Sequence, residues 1–155
     1  VLTFSNTQLN NLSGDDFNLK AKIRSEPISN ETLCIFYEVL MKGTTGVIRV
    51  PVTQPGCYGI TSIHCSDQVL SGKSHNLSNL STDLNISHTI ELLCKDSQLS
   101  IAVGGNEPFN IPYNEKIGQL KVIKFIFNGT AEVSAFEIQN GEGQALEAPE
   151  LYPFN

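Results

Sequence analysis

Alternation with a period of two runs through this chain and constrains its fold more than any other feature. Residues 17–24 set Phe17, Leu19, Ala21 and Ile23 against Asn18, Lys20, Lys22 and Arg24. One side of that stretch is apolar and the other wet, which is the mark of a half-buried strand. Residues 86–94 repeat the pattern, with Ile86, His88, Ile90, Leu92 and Cys94 alternating with Ser87, Thr89, Glu91 and Leu93. Residues 33–40 are apolar on both faces apart from Glu38. Residues 46–52 form a β-branched run closed by Pro51 and the turn Gln54-Pro55-Gly56, and residues 99–103 stop at Gly104-Gly105. Asn128-Gly129, flanked by the apolar runs 121–127 and 132–138, predicts a two-residue hairpin. No segment carries a helical repeat with caps, and residues 144–151 have room for a turn at most. Short strands between turn signals predict an all-β fold, a two-sheet antiparallel sandwich.

At 155 residues the chain suits one domain. We expect the sandwich over 1–140 and an acidic C-terminal tail or linker over 141–155, where Glu142, Glu147 and Glu150 stand with two prolines. That stretch is also where a connection to a larger precursor would begin. Residues 66–87, rich in Ser, Asn, Leu, Lys and Asp, are expected to be exposed loops around at most one short strand. A net charge of −6 with two arginines, Arg24 and Arg49, argues against a nucleic-acid partner. No apolar run approaches the roughly 20 residues of a membrane span. Val1 follows no basic-then-apolar leader, so any signal peptide is expected to have been removed or omitted.

The glycosylation motif Asn-x-Ser/Thr occurs at Asn11, Asn30, Asn76, Asn79, Asn85 and Asn128. The Asn and Ser/Thr content would give only about two such motifs at random. The excess predicts a glycoprotein whose acceptors lie at the surface. The four cysteines, Cys34, Cys57, Cys65 and Cys94, contain no Cys-x-x-Cys and do not combine with His64, His75 and His88 at zinc-finger intervals. An even count in a secreted domain suggests two disulfides, with three possible connectivities. The short interval favours Cys57–Cys65, which leaves Cys34–Cys94. Sequons and cysteines together place the chain outside the cell or on its surface.

From residue 17 to residue 138 the order of these pieces resembles the galectins, a family of β-galactoside-binding jelly-roll sandwiches of the galectin/concanavalin-like kind. Phe17-Asn18-Leu19 is similar to their early Phe-x-Ile/Val-Asn-Leu strand, and Thr32-Leu33-Cys34-Ile35-Phe36-Tyr37 sits where the family enters its His-x-Asn-x-Arg strand. Gly56-Cys57-Tyr58-Gly59 resembles the Gly-x-Trp-Gly segment. Gln98-Leu99-Ser100-Ile101-Ala102-Val103-Gly104-Gly105-Asn106 resembles a hairpin ending Phe-x-Val-x-Val-Asn-Gly. Phe127-Asn128-Gly129-Thr130-Ala131-Glu132-Val133 resembles the closing strands around a Gly-Asp-Val turn.

The resemblance fails at the sugar site. It implies that Phe36 replaces the family's His, Glu38 the Asn, Leu40 the Arg, Tyr58 the stacking Trp and Thr61 the Glu; the chain has no Trp at all. A site built on directed hydrogen bonds loses orders of magnitude when those partners are removed. Ordinary galactoside binding is therefore not expected. Phe36, Leu40 and Met41, with Glu38 among them, would instead offer a concave apolar face suited to a protein partner. The alternative is a lectin using an altered groove with Tyr58 as its stacking platform.

Catalytic chemistry is not expected, nor is a metal or cofactor. Ser87 and His88 are neighbours on a strand and point to opposite faces. Asp15-Asp16 reads as a polar turn, Asp67, Asp83 and Asp96 are scattered, and no phosphate-loop motif occurs. The expected function is a secreted or cell-surface module for receptor binding, adhesion or immune modulation. Its partner would be a protein or glycoprotein, with a homodimer through a sheet edge as a further association.

Overall fold

The computed structural model describes residues 2–27, 34, 36–146 and 152–154. Among the described residues twelve strands follow in order: β1 (Leu2–Asn6), β2 (Phe17–Pro27), β3 (Phe36–Gly43), β4 (Val47–Thr53), β5 (Ser62–Cys65), β6 (Gln68–Ser71), β7 (His88–Lys95), β8 (Gln98–Val103), β9 (Phe109–Pro112), β10 (Leu120–Phe127), β11 (Gly129–Asn140) and β12 (Tyr152–Phe154). One sheet has seven strands in the order β12-β1-β10-β3-β4-β5-β6, and the other has five in the order β11-β2-β7-β8-β9. Every pairing between these strands is antiparallel. This is the two-sheet antiparallel sandwich expected from the alternation, in the jelly-roll form that the resemblance implied.

The pattern sorts the side chains as a period of two requires. On β2, Phe17, Leu19, Ala21 and Ile23 enter the core, and on β7 so do Ile90, Leu92 and Cys94. The seven-stranded sheet answers with Tyr37, Val39 and Met41 from β3, Ile48, Val50 and Val52 from β4, and Ile123, Phe125 and Phe127 from β10. Phe127 meets Phe4 edge-on at 5.9 Å, and Phe125 meets Phe136 edge-on at 6.0 Å across the layers. Tyr37 and His88 also meet across the layers. Burial keeps His88 below the ordinary histidine range, so the ring is neutral. Its Nδ1 donates to the Ile86 carbonyl at 2.9 Å, which leaves Nε2 to accept the Tyr37 hydroxyl at 2.8 Å.

Several expectations are corrected. Asn128-Gly129 joins no hairpin, because β10 belongs to the seven-stranded sheet and β11 to the five-stranded one. Both flanking runs bury apolar side chains from opposite layers, so the chain crosses between sheets where a tight turn would have held it in one. The C-terminal stretch is more than a tail. Leu146 donates to Ile138 and packs on the core, and β12 pairs with β1 through Thr3–Phe154 and Ser5–Tyr152 registers. The cysteines pair differently too. Cys34 bonds Cys57, with Cα atoms 5.4 Å apart, while Cys65 and Cys94 are free and buried. Cys65 is in register with Ile48 on β4 and faces the core, as Cys94 does from β7, so neither expected pair, Cys57–Cys65 or Cys34–Cys94, forms. Burial pushes the Cys65 thiol up to about 12 and the Cys94 thiol up to about 11.

One polar cluster pins the loops at the end of the sandwich. The Asp15 carboxylate accepts the Ile117 and Gly118 amides at 3.0 Å each and the Tyr113 hydroxyl at 2.6 Å. Burial alone would raise the Asp15 pKa, but these hydrogen bonds and the Lys116 charge outweigh it and hold the carboxyl below its usual value. The second residue of the pair, Asp16, is exposed, so Asp15-Asp16 is half a structural clamp and half a solvated turn.

Candidate recognition face

The core residues of β3, β4 and β10 fix which positions look outward from the seven-stranded sheet. These are Phe36, Glu38, Leu40 and Lys42 on β3, Val47, Arg49, Pro51 and Thr53 on β4, and Val122, Lys124 and Ile126 on β10. Register binds them into rows. Ser5, Lys124, Leu40, Arg49, His64 and Val69 line up across β1, β10, β3, β4, β5 and β6. Thr3, Ile126, Glu38 and Pro51 form the next row, and Val122, Lys42 and Val47 another.

Phe36, Glu38 and Leu40 therefore share one face, as the resemblance implied. Phe36 is 36% exposed and Leu40 only 4%. Leu40 lies outside the core cluster, and Lys124 and Arg49 stand on either side of it in register. Long basic side chains that lay their stems over an apolar neighbour keep their charged ends in water. Met41, grouped with that face from the sequence, is fully buried in the core. Its place follows from parity, since Phe36, Glu38 and Leu40 leave the odd positions to the interior.

Tyr58 and Thr61 fall elsewhere, on the connection between β4 and β5. Tyr58 opens the 3-10 turn Tyr58–Ile60, is partly buried, and packs against the core rather than standing clear as a platform. Thr61 is 7% exposed and closes the same turn. Its hydroxyl donates to the Tyr58 carbonyl at 2.8 Å and its amide to the same oxygen at 3.2 Å. Both are structural residues of a turn that the Cys34–Cys57 disulfide tethers to the approach to β3.

What the sequence reading missed is the charge on this face. The strands of the seven-stranded sheet hold Lys42, Arg49, Lys121 and Lys124 against a single carboxylate, Glu38. Arg49 approaches Glu38 at 3.8 Å, with its side chain 44% exposed. Among the described residues neither Lys42 nor Lys124 has an ion-pair partner. In a chain of net charge −6 this face is a local inversion. The signal was present as four cations spread over strands 3, 4 and 10, but only the register brings them together.

The five described sequon asparagines, Asn11, Asn76, Asn79, Asn85 and Asn128, are exposed, and none lies on a strand of the seven-stranded sheet; Asn30 lies outside the described residues. Among the described residues, no three His, Cys, Asp or Glu side chains gather to hold a metal ion, and no helix is long and apolar enough to cross a membrane. Asp67 is held well below the usual carboxylate range by the Asn114 amide first, with the Glu115 amide and Asn114 side chain adding to it. Those contacts tie the β5–β6 turn to residues 114–115.

No protein-family model matches the chain, and no curated protein does. Solved structures do. Chicken galectin 2 is similar with a TM-score of 0.60 at 10% identity, over 88% of this chain and 98% of that one. CG-16, a homodimeric agglutinin from chicken liver, gives 0.54 at 12% identity over 88% and 99%. Congerin II, in a lactose-liganded structure, gives 0.53 at 11% identity over 83% and 93%. The architecture is thus the galectin sandwich.

Proposed function

We propose that this chain is a non-catalytic recognition module, working outside the cell or on its surface, that takes a protein partner on the outer face of the seven-stranded sheet. The observation that carries this is the make-up of that face. Phe36, Val47, Val122 and Ile126 stand among Lys42, Arg49 and Lys124, and the described outward positions include no Asn, Gln or Trp. A sugar needs an apolar platform and a set of polar groups aimed at its hydroxyls. A protein partner needs apolar contact ringed by charge. Phe36, Val47 and Val69 are exposed large apolar residues on this sheet, and the exposed acceptors for N-glycans lie off its strands.

A glycan-binding reading draws on the lactose held by congerin II, which shares the fold. Here Tyr58 is packed on the core and Thr61 is spent within its turn, so that reading lacks its platform. Binding of the labelled chain to cells separates the two. The protein-partner reading expects binding that persists in excess lactose and after enzymatic removal of surface glycans, and that falls at least about tenfold with Phe36→Ala. Elution by lactose, or loss of binding on deglycosylation, would overturn it.

A further inference from the structure

Resting on that reading, we infer that the segment received by the outer face of β10, β3 and β4 is an acidic stretch of the partner, with carboxylates interspersed among apolar side chains. Charge complementarity selects this occupant. Lys124 and Arg49 flank Leu40 in one row, and Lys42 sits between Val122 and Val47 in another. Lys42 is thus set beside exposed apolar surface at Val47, while Lys124 and Arg49 flank the buried Leu40. Glu38, the one carboxylate on these strands, faces Ile126 and Pro51 in register and reaches Arg49 only at 3.8 Å. That separation leaves the guanidinium without a close bidentate partner, and a planar fork of donors is matched best by an incoming carboxylate.

The other sheet balances its cations with carboxylates. The strands of the five-stranded sheet carry Lys20, Lys22, Arg24 and Lys95 with as many carboxylates, Glu26, Glu91, Glu132 and Glu137, and Lys20 and Arg24 form ion pairs there. A cationic face on an acidic protein is repelled by its own copies least where they are acidic, and it steers acidic partners from a distance. A neutral apolar peptide would leave Lys42, Arg49 and Lys124 no better paired than before. A sulfated sugar would satisfy charge but would gain little from Phe36, Val47 and Ile126.

The test titrates the labelled full chain, followed by amide NMR, with a synthetic peptide of alternating glutamate and leucine. The same peptide with glutamine for glutamate, a heparin-derived oligosaccharide and lactose serve as comparators. The expected result is that the acidic peptide shifts amides of β3, β4 and β10, weakens as salt rises, and loses at least about fivefold in affinity with Arg49→Gln or Lys124→Gln. Lys22→Gln, on the opposite sheet, leaves affinity unchanged. Equal binding of the glutamine peptide on the same strands overturns the charge inference while the protein-partner reading stands. Binding of the oligosaccharide there in place of the peptide overturns both. Absence of shifts on these strands with the acidic peptide overturns the inference, and the cell experiment then judges the reading alone.

Discussion

The two outer faces of this sandwich carry different balances of charge: four cations with four carboxylates on the strands of the five-stranded sheet, and four with one on those of the seven-stranded sheet. On the five-stranded sheet Arg24 reaches Glu26 at 2.5 Å and Glu132 at 2.9 Å, and Lys20 reaches Glu91 at 3.9 Å. One exposed large apolar residue, Leu93, stands on its strands. On the seven-stranded sheet Arg49 has Glu38 at 3.8 Å, Lys42 and Lys124 have no ion-pair partner among the described residues, and Phe36, Val47 and Val69 are exposed. Paired charge on a flat face keeps a protein soluble and indifferent to its neighbours. Charge of one sign beside bare apolar surface steers oppositely charged partners and suits a face that meets one.

If the faces differ only in what they meet, then the core beneath them should be shared. Phe125→Ala removes a fully buried ring that touches Phe136 of the other layer, and is expected to cost about 3–5 kcal/mol. Chemical denaturation should show one cooperative transition; two would mean that the sheets are separable and the comparison misplaced. Next in size is the tether at the approach to β3. Cys34→Ser opens a link across 23 residues and should cost about 3 kcal/mol. An unchanged melting temperature under non-reducing conditions would remove the disulfide from the account.

Acid should loosen the interlayer contacts before it touches the faces. His88 is held below the ordinary histidine range, so the unfolded chain takes up a proton first as pH falls. Stability contributed by the neutral ring is full above the unfolded value near 6.5 and is lost as pH drops through it toward the folded value. Asp15, also depressed, contributes above its unfolded value near 3.8 and loses that contribution at lower pH. Melting temperatures across pH 7 to 3 should fall in these two stages, and His88→Gln should erase the first; a first stage that survives it would reassign the titration. Smallest are the surface pairs. Arg24→Ala should leave the melting temperature nearly unchanged and partner binding intact. Arg49→Ala should be equally mild for stability and should weaken binding, and equal effects on binding would erase the distinction between faces.

Most of the sandwich was legible because β2, β7, β8 and β10 are long enough for alternation to rise above chance. The strands β1, β5, β9 and β12 have three to five residues each, too few to show a period, and exist because a neighbouring strand offers them a ladder. Asn128-Gly129 misled because the dipeptide reports a local turn and says nothing of which sheet receives the next strand. The disulfide misled for a related reason: closeness in sequence favours Cys57–Cys65, but β5 turns Cys65 into the core while Cys57 stays in the loop. At the candidate site, the family resemblance put Phe36, Glu38 and Leu40 together, and parity on β3, which would have kept Met41 off that face, was hidden in a run apolar on both sides. Grouping Lys124 and Arg49 with them required the register between β10, β3 and β4, which no single segment encodes.

Photo-crosslinking on intact cells probes the assignment of faces most directly. Phe36→p-benzoylphenylalanine and Leu93→p-benzoylphenylalanine place the same reactive group at exposures of 36% and 40% on the two faces. A covalent adduct to a cell-surface protein from position 36 and none from position 93 is the expected result. Adducts from position 93 alone, or equally from both, would contradict the assignment of the seven-stranded sheet as the recognition face.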